Sequence, residues 1–557
     1  MVRKRRPVFA ALLLVVSACG TMNPDATGTN DMNSEAYDLV VRNAIILLGA
    51  DLPVIPRGSL GVRGDRIAYV GPSEVDGREV IDGEGLVVMP GLIDAHAHLA
   101  GLGDALDSVD LVGSTSWEEV IRRLKAEADE RPDGEWITGR GWDQNDWPVK
   151  EFPNATDLDD AMPNHPIVIT RVDGHALIAN RMAREHAGIS ELTQAPDGGM
   201  IVRDVEGRQT GVFIDNAMEM VRSAIPNPPR SVMKRRLREA TEVAAQKGLT
   251  EVHDAGMSRD TIELLRELNA EGELSIRVYV LLSDDATLLD EWFERGPLVD
   301  EGLVTVRAVK LYADGALGSR GAALLDAYSD ADHTGLLVST RDHMEEVSRR
   351  ARSAGFQVGA HAIGDRGVRT VLEAFELAGV EPGDRFRIEH LQVMDLRDMK
   401  RIANLGLIAS MQPTHATSDM PWAEDRLGPQ RIEGAYAWRK VSNAGIPLAL
   451  GSDFPVEQVS PFLGLYAAVT RQDLDGNPPG GWTPGERLTI REAIRGFTQG
   501  GAFASFRENE LGTLEPGMLA DFIVVDRNLL EIEPSQIPDT DVISTVVGGK
   551  VEYTRRP

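Results

Sequence analysis

With 557 residues, 42% of them hydrophobic, the chain can bury a large core, and a single barrel of about 250–400 residues with satellite elements fits that scale. The 87 acidic against 58 basic residues leave a formal net charge of −29, which repels phosphate backbones and anionic lipid and argues against nucleic acid as a partner. Cys19 is the only cysteine, so no internal disulfide can form, and stability must come from the core and from bound metal.

The first 36 residues read as an address and a tether. Arg3, Lys4, Arg5 and Arg6 form a basic stretch, residues 8–16 a short apolar core, and Val16-Ser17-Ala18-Cys19 ends in small residues before the cysteine. An apolar run of about nine residues is too short to span a bilayer. The pattern resembles a bacterial lipoprotein signal, in which residues 1–18 are removed and Cys19 is lipidated. An ordinary secretory signal is the alternative; a twin-arginine signal fits poorly because Pro7-Val8-Phe9 follows Arg5-Arg6. Residues 19–36, rich in Asn, Asp, Thr and Gly, read as a flexible tether. The expectation is an exported protein on the cell or outer membrane, touching the membrane only through its lipid.

Short strand patterns at 37–41, 66–70 and 79–82, separated by turns such as Arg63-Gly64-Asp65, define a β-segment over 37–88. The end of the chain, 506–557, repeats the style at 520–525 and 542–551, so the two segments are expected to meet in one sandwich. Between them, over 89–505, apolar runs alternate with amphipathic helical stretches, the form of parallel βα units. The predicted barrel strands are 86–99, 249–254, 276–282, 304–314, 356–361, 386–391, 407–412 and 447–453, with helices at 233–246, 341–354 and 368–378. The stretch from about 103 to 229 is too long for one βα connection and reads as an insertion between the first and second strands.

Polar residues close several of these strands. His96 and His98 lie two apart, so on a strand both imidazoles project from one face and can grip one cation. Period-two alternation puts Asp94, His96 and His98 on one face of the first strand, Val306, Ala308 and Lys310 on one face of the fourth, and Phe386, Ile388 and His390 on one face of the sixth. His361 and Asp453 end the fifth and eighth strands. A barrel fills its interior with apolar layers and carries its site at the C-terminal rim, where these six residues are expected to converge. Taken singly, a histidine is more often a hydrogen-bonded core residue, and a lysine a surface one. The ordered set points to a metal-dependent hydrolase.

The motifs Pro90-Gly91-Leu92-Ile93-Asp94-Ala95-His96-Ala97-His98, Lys310-Leu311-Tyr312-Ala313-Asp314-Gly315, His361-Ala362-Ile363-Gly364-Asp365, Ile388-Glu389-His390 and Gly451-Ser452-Asp453-Phe454-Pro455 resemble those of the amidohydrolase superfamily, most closely the branch containing N-substituted formamide deformylase. The resemblance runs from about residue 37 to the end. It implies an α/β fold, a distorted TIM (β/α)8 barrel with a β-sandwich domain formed by the N- and C-terminal segments. It implies His96 and His98 as ligands of one metal, His361 and His390 as ligands of a second, Lys310 as a carbamylated lysine bridging them, and Asp453 as the eighth-strand acid. Neutral imidazoles and oxygen donors suit Zn2+ or another divalent ion, one or two per subunit, and the carbamate would take CO2. Catalysis would rest on Asp453 and Lys310, with Asp453 accepting and returning a proton.

Trp142, Asp143, His175, Arg320 and His415 are the candidate substrate contacts, with Asp419, Trp147 and Trp422 nearby in sequence. The expected partner is a small molecule bearing an amide, N-formyl or N-acyl group; a homo-oligomer is compatible with the sequence. Lactone or ester hydrolysis on the same site is the alternative, and a non-catalytic metal- or ligand-binding lipoprotein would have no use for a proton carrier at Asp453.

Overall fold

A computed structural model describes residues 36–556; the signal and tether expectations fall almost entirely outside them. Eight parallel strands run Leu92–Ala97, Leu249–Met257, Arg277–Leu282, Val304–Tyr312, Gln357–Ala362, Arg387–His390, Ile408–Met411 and Leu448–Leu450, each paired with the next. They are built from β-branched and apolar runs such as Val304-Thr305-Val306, and helices between them start at side-chain caps, Ser258 and Thr340 among them. The end of the eighth strand is hydrogen-bonded to the first through both side chains and backbone. The Asp94 carboxylate accepts hydrogen bonds from the backbone N of Ser452 at 3.0 Å and from its hydroxyl at 2.6 Å, and Asp453 N donates to His96 O at 2.8 Å. The barrel is thus nearly closed.

The predicted first strand, 86–99, is two elements. Val87–Pro90 pairs antiparallel with Phe522–Val525 in an eight-stranded sheet made by both ends of the chain, and Leu92–Ala97 enters the barrel. Gly91 joins them because nothing larger fits: a Cβ there would lie 2.2 Å from Thr250 Oγ1. The end sheet has its own apolar core, including Leu39, Val41, Leu60, Phe522, Val524 and Val546. Between the first and second barrel strands stands a six-stranded sheet, from Val109–Asp110 to Gln209–Asp215, with two further apolar clusters.

Two expected faces are corrected. On the sixth strand Phe386 and Ile388 point outward, Phe386 against Phe375 of a surrounding helix at 5.1 Å between ring centroids. Arg387 and Glu389 point inward instead: Arg387 Nη1 lies 3.0 Å from His253 Nδ1 and Nη2 donates to Ser410 Oγ at 3.0 Å. On the fourth strand a bulge lets Leu281 pair with Ala308 where Val280 pairs with Val306, so Ala308 joins Tyr279 and Leu281 in the lumen while Val306 joins the core shared with the helices. The lumen is therefore partly polar rather than layered with apolar side chains. Arg387, Glu389, Glu251 and His253 are all buried there, and a buried charge is tolerated only when paired.

Arg277, at the start of the third barrel strand, holds the end sheet to the barrel. It makes two hydrogen bonds to the Asp521 carboxylate, at 2.7 and 2.9 Å, both groups being buried, and Asp521 also accepts from Gly548 N at 2.8 Å. Removing one partner strands a buried charge, so Arg277→Ala is expected to cost about 3–5 kcal/mol. Replacing both, as Arg277→Met with Asp521→Leu, should recover most of that loss; urea unfolding midpoints of the three variants compare them.

Candidate metal centre

All six polar strand-end residues converge at the C-terminal end of the barrel. His96 is fully buried, and its Nδ1 donates to Glu389 Oε2 at 2.5 Å, which fixes the tautomer and frees Nε2. His390 Nδ1 donates to Gln412 Oε1 at 2.8 Å, with the same result. The rings of His96 and His390 lie 4.7 Å apart, and those of His390 and His361 4.6 Å. Lys310 Nζ stands 3.2 Å from His96 Nε2. Asp453 Oδ1 is 3.1 Å from His98 Nε2 and 3.6 Å from His96 Nε2, and Asp453 Oδ2 is 3.6 Å from His415 Nε2.

Backbone geometry helps to place these groups. His390 has φ 72° and Asp453 φ 66°, in the left-handed region that side-chain-bearing residues rarely adopt. At His390 that break in alternation brings the imidazole into the cleft although Ile388, two residues back, faces outward. Such conformations cost on the order of 1–3 kcal/mol each and persist where surrounding structure holds them, as the Asp453 N to His96 O bond does here.

The electrostatics follow from burial. Burial, reinforced by the Lys310 charge, pulls His96 down to about 4, and burial with the neighbouring cations pulls His361 and His390 well below the ordinary imidazole value. Burial likewise pulls Lys310 down to about 8. Asp453 goes the other way: against the upward push of burial, the facing imidazoles of His98, His96 and His415 hold it well below the usual carboxylate range. Glu389 is held down similarly by Arg387 and His96, against burial.

The donors fit a divalent cation. Among the described residues, His96, His98 and Asp453 form one group with ligand atoms within 4.8 Å of one another, and His390, His415 and Asp453 form another. His415 Nε2 is buried with no hydrogen-bond partner, and Asp453 Oδ1 has only the His98 ring beside it at 3.1 Å, donors that a cation would satisfy. His415, expected at the substrate, thus stands with His390 and Asp453 in a group that could hold a cation. His361, expected beside His390, lies against it but has Nε2 at 3.4 Å from Gly315 O.

Other expected contacts divide. Asp143, His175, Asp419 and Trp422 line a cleft of about 1680 Å³ that also exposes His98, Lys310, His361, His390 and Asp453. Trp142 does not reach it; fully buried in the core of the inserted sheet, its indole donates to Ile169 O at 3.2 Å, because an apolar ring in a strand packs where the sheet has its core. Trp147 is buried in the same core. Arg320 also turns away, pairing with Asp330 at 2.9 Å. Several groups escaped the sequence reading: Glu389 and Gln412, which orient the two imidazoles, and Asp215, which accepts from His175 Nδ1 at 2.7 Å. Glu389 stood inside a quoted motif next to His390; Asp215 had no such signal.

A nearly closed parallel α/β barrel with histidine and aspartate donors at its C-terminal rim defines a metal-dependent hydrolase. Residues 79–553 match the model of the amidohydrolase family. The chain is similar to YtcJ of Bacillus subtilis (strain 168), 33% identical over 86% of this chain and 91% of that one, and to the N-substituted formamide deformylase of Arthrobacter pascens, 29% identical over 89% and 94%. Its structure resembles that of an uncharacterized metal-dependent hydrolase from Pyrococcus horikoshii OT3, with a TM-score of 0.73 and 30% identity, covering 89% of this chain and 99% of that one. The chain belongs to the amidohydrolase family.

Because burial keeps His96, His361 and His390 unprotonated, lowering the pH to about 6, where a free imidazole is more than half charged, should leave these rings neutral in metal-free protein. Their 15N shifts in histidine-labelled protein report this; protonated rings at that pH would contradict it.

Proposed function

We propose that the protein hydrolyses a carbon–nitrogen bond in a small amide, N-formyl or N-acyl compound, with Asp453 carrying the proton. The observation that supports this reading is Asp453 itself, a buried carboxylate facing His96, His98 and His415. His96, His98, Lys310, His361, His390, His415 and Asp453 are the residues that would hold one or two divalent ions such as Zn2+. When bound, such an ion would polarise a carbonyl and lower the pKa of a water held there to about 7.

The chain's own groups do the rest. Asp453 stays ionised at neutral pH, ready to accept the proton of the attacking water and return it to the departing nitrogen, which leaves poorly unless protonated. Lys310 has no carboxylate partner among the described residues, and a pKa of about 8 leaves part of its amine neutral. That amine can add to CO2, releasing one proton and replacing a cation beside His96 with an anionic oxygen donor. Glu389 and Gln412 keep the His96 and His390 rings turned so that Nε2 faces the centre.

Metal-loaded protein should turn over members of an amide panel rather than lactones or phosphoesters. Asp453→Asn is expected to lower that turnover by about 10² or more, the scale of losing a general acid–base group, while retaining most of the metal. Lys310→Ala should lose metal as well as rate, read by elemental analysis. Near wild-type turnover in Asp453→Asn would move the proton carrier elsewhere. We place the reaction outside the cytoplasm, on the pattern ending at Cys19: wild-type protein should fractionate with membranes, and Cys19→Ala should be released or remain unprocessed.

A further inference from the structure

Two guanidinium groups line the same cleft and form no ion pair with a carboxylate among the described residues. Arg140 lies in the inserted strand Ile137–Trp142, and Arg222 ends the short helix Glu219–Arg222. Arg140 Nη2 donates to Val172 O at 3.0 Å, and its Nε is buried with no hydrogen-bond partner. Arg222 makes one long contact, Nη2 to Gly174 O at 3.5 Å. The carboxylates nearby are committed elsewhere. Asp173 accepts from His175 N at 3.0 Å and pairs with Arg171, which also takes Asp143, while Asp453 faces the imidazoles. Glu219, on the same helix as Arg222, forms no ion pair with it. In a chain with 87 acidic residues, most arginines of the described structure find one, as Arg426 does with Asp330.

Two like charges facing one cleft repel each other, and burial pulls the Arg140 guanidinium below its ordinary value, with Asp453 opposing and Arg222 reinforcing that shift. Such a pair is stabilised by an anion between its members. Guanidinium forks match the two oxygens of a carboxylate, and both are reached from the cleft that exposes Lys310, His98 and Asp453.

We propose that Arg140 and Arg222 form a subsite for a carboxylate carried by the substrate, so that the compound hydrolysed is an N-formyl or N-acyl amino acid rather than a neutral amide. The inference rests on the amide reading above for its substrate class, and its test is separable from that reading because binding and turnover are measured apart. N-formylphenylalanine and its methyl ester are the probes, differing only in the charge. Their binding is measured by calorimetry in metal-loaded Asp453→Asn protein, in which turnover is suppressed, and their hydrolysis in wild-type protein.

The free acid should bind about tenfold or more tightly than the ester, the scale of one charge-assisted hydrogen bond. Arg140→Ala and Arg222→Ala should each weaken the acid by about that factor and the ester by no more than about twofold, with Arg140→Lys and Arg222→Lys falling between. Circular dichroism and melting temperatures of the variants confirm that they are folded. Equal binding of acid and ester, equal losses on both in the alanine variants, or no binding of either probe overturns the subsite. Selective binding of the acid without hydrolysis by wild-type protein would leave the subsite standing and defeat the amide reading instead.

Discussion

The ion pair between Arg387 and Glu389, wholly inside the barrel, governs how the site is built. Arg387 Nε lies 2.7 Å from Glu389 Oε1 with neither side chain exposed to solvent. A carboxylate in that position would take up a proton if it stood alone; paired, it stays charged and can orient His96 from below. The same arginine reaches Ala95 O, Ser410 and His253, so one guanidinium ties the first, second, sixth and seventh barrel strands together beneath the ligands. Hydrophobic packing could close the barrel, but it would leave the His96 ring free to choose either tautomer. The polar lumen supplies direction where apolar layers supply only volume.

This division explains what could be read from the chain. Ligand types and their order along the sequence are local facts, and His96, His98, Lys310, His361, His390 and Asp453 do meet at one rim. Strand positions are legible for the same reason, since each is a short, largely apolar run and several are closed by a polar residue. What alternation could not reveal is its own interruption. The bulge after Val306 and the positive φ of His390 are set by pairing partners distant in sequence, and each changes which residues face inward. Trp142 was misplaced because an aromatic residue next to an acid looks alike whether the ring fills a sheet core or a pocket; only the inserted sheet's packing decides. The partnership of Glu389 with His96 spans 293 residues, beyond any local pattern.

The inserted sheet gives the site its second wall. The barrel rim supplies the donors, whereas Asp143, His175, Arg140 and Arg222 come from between the first and second barrel strands. His175 faces His361 with ring centroids 5.1 Å apart, so the two parts meet at the ligand set itself. The rim donors and the second wall therefore come from different layers of the fold, which touch where His175 meets His361.

Gly91 has a consequence for the order in which the molecule becomes active. Five residues before His96, it passes the chain from a strand clamped by Phe522–Val525 into the barrel, donating its own N–H to Asp521 O at 3.1 Å. The histidines near the start of the domain are thus anchored by segments that a ribosome makes last. Until some 430 further residues have emerged, the first-strand ligands lack both their neighbouring sheet and Asp453. A nascent chain carries the ligands but no assembled centre, and the site can work only once the C-terminal strands have docked.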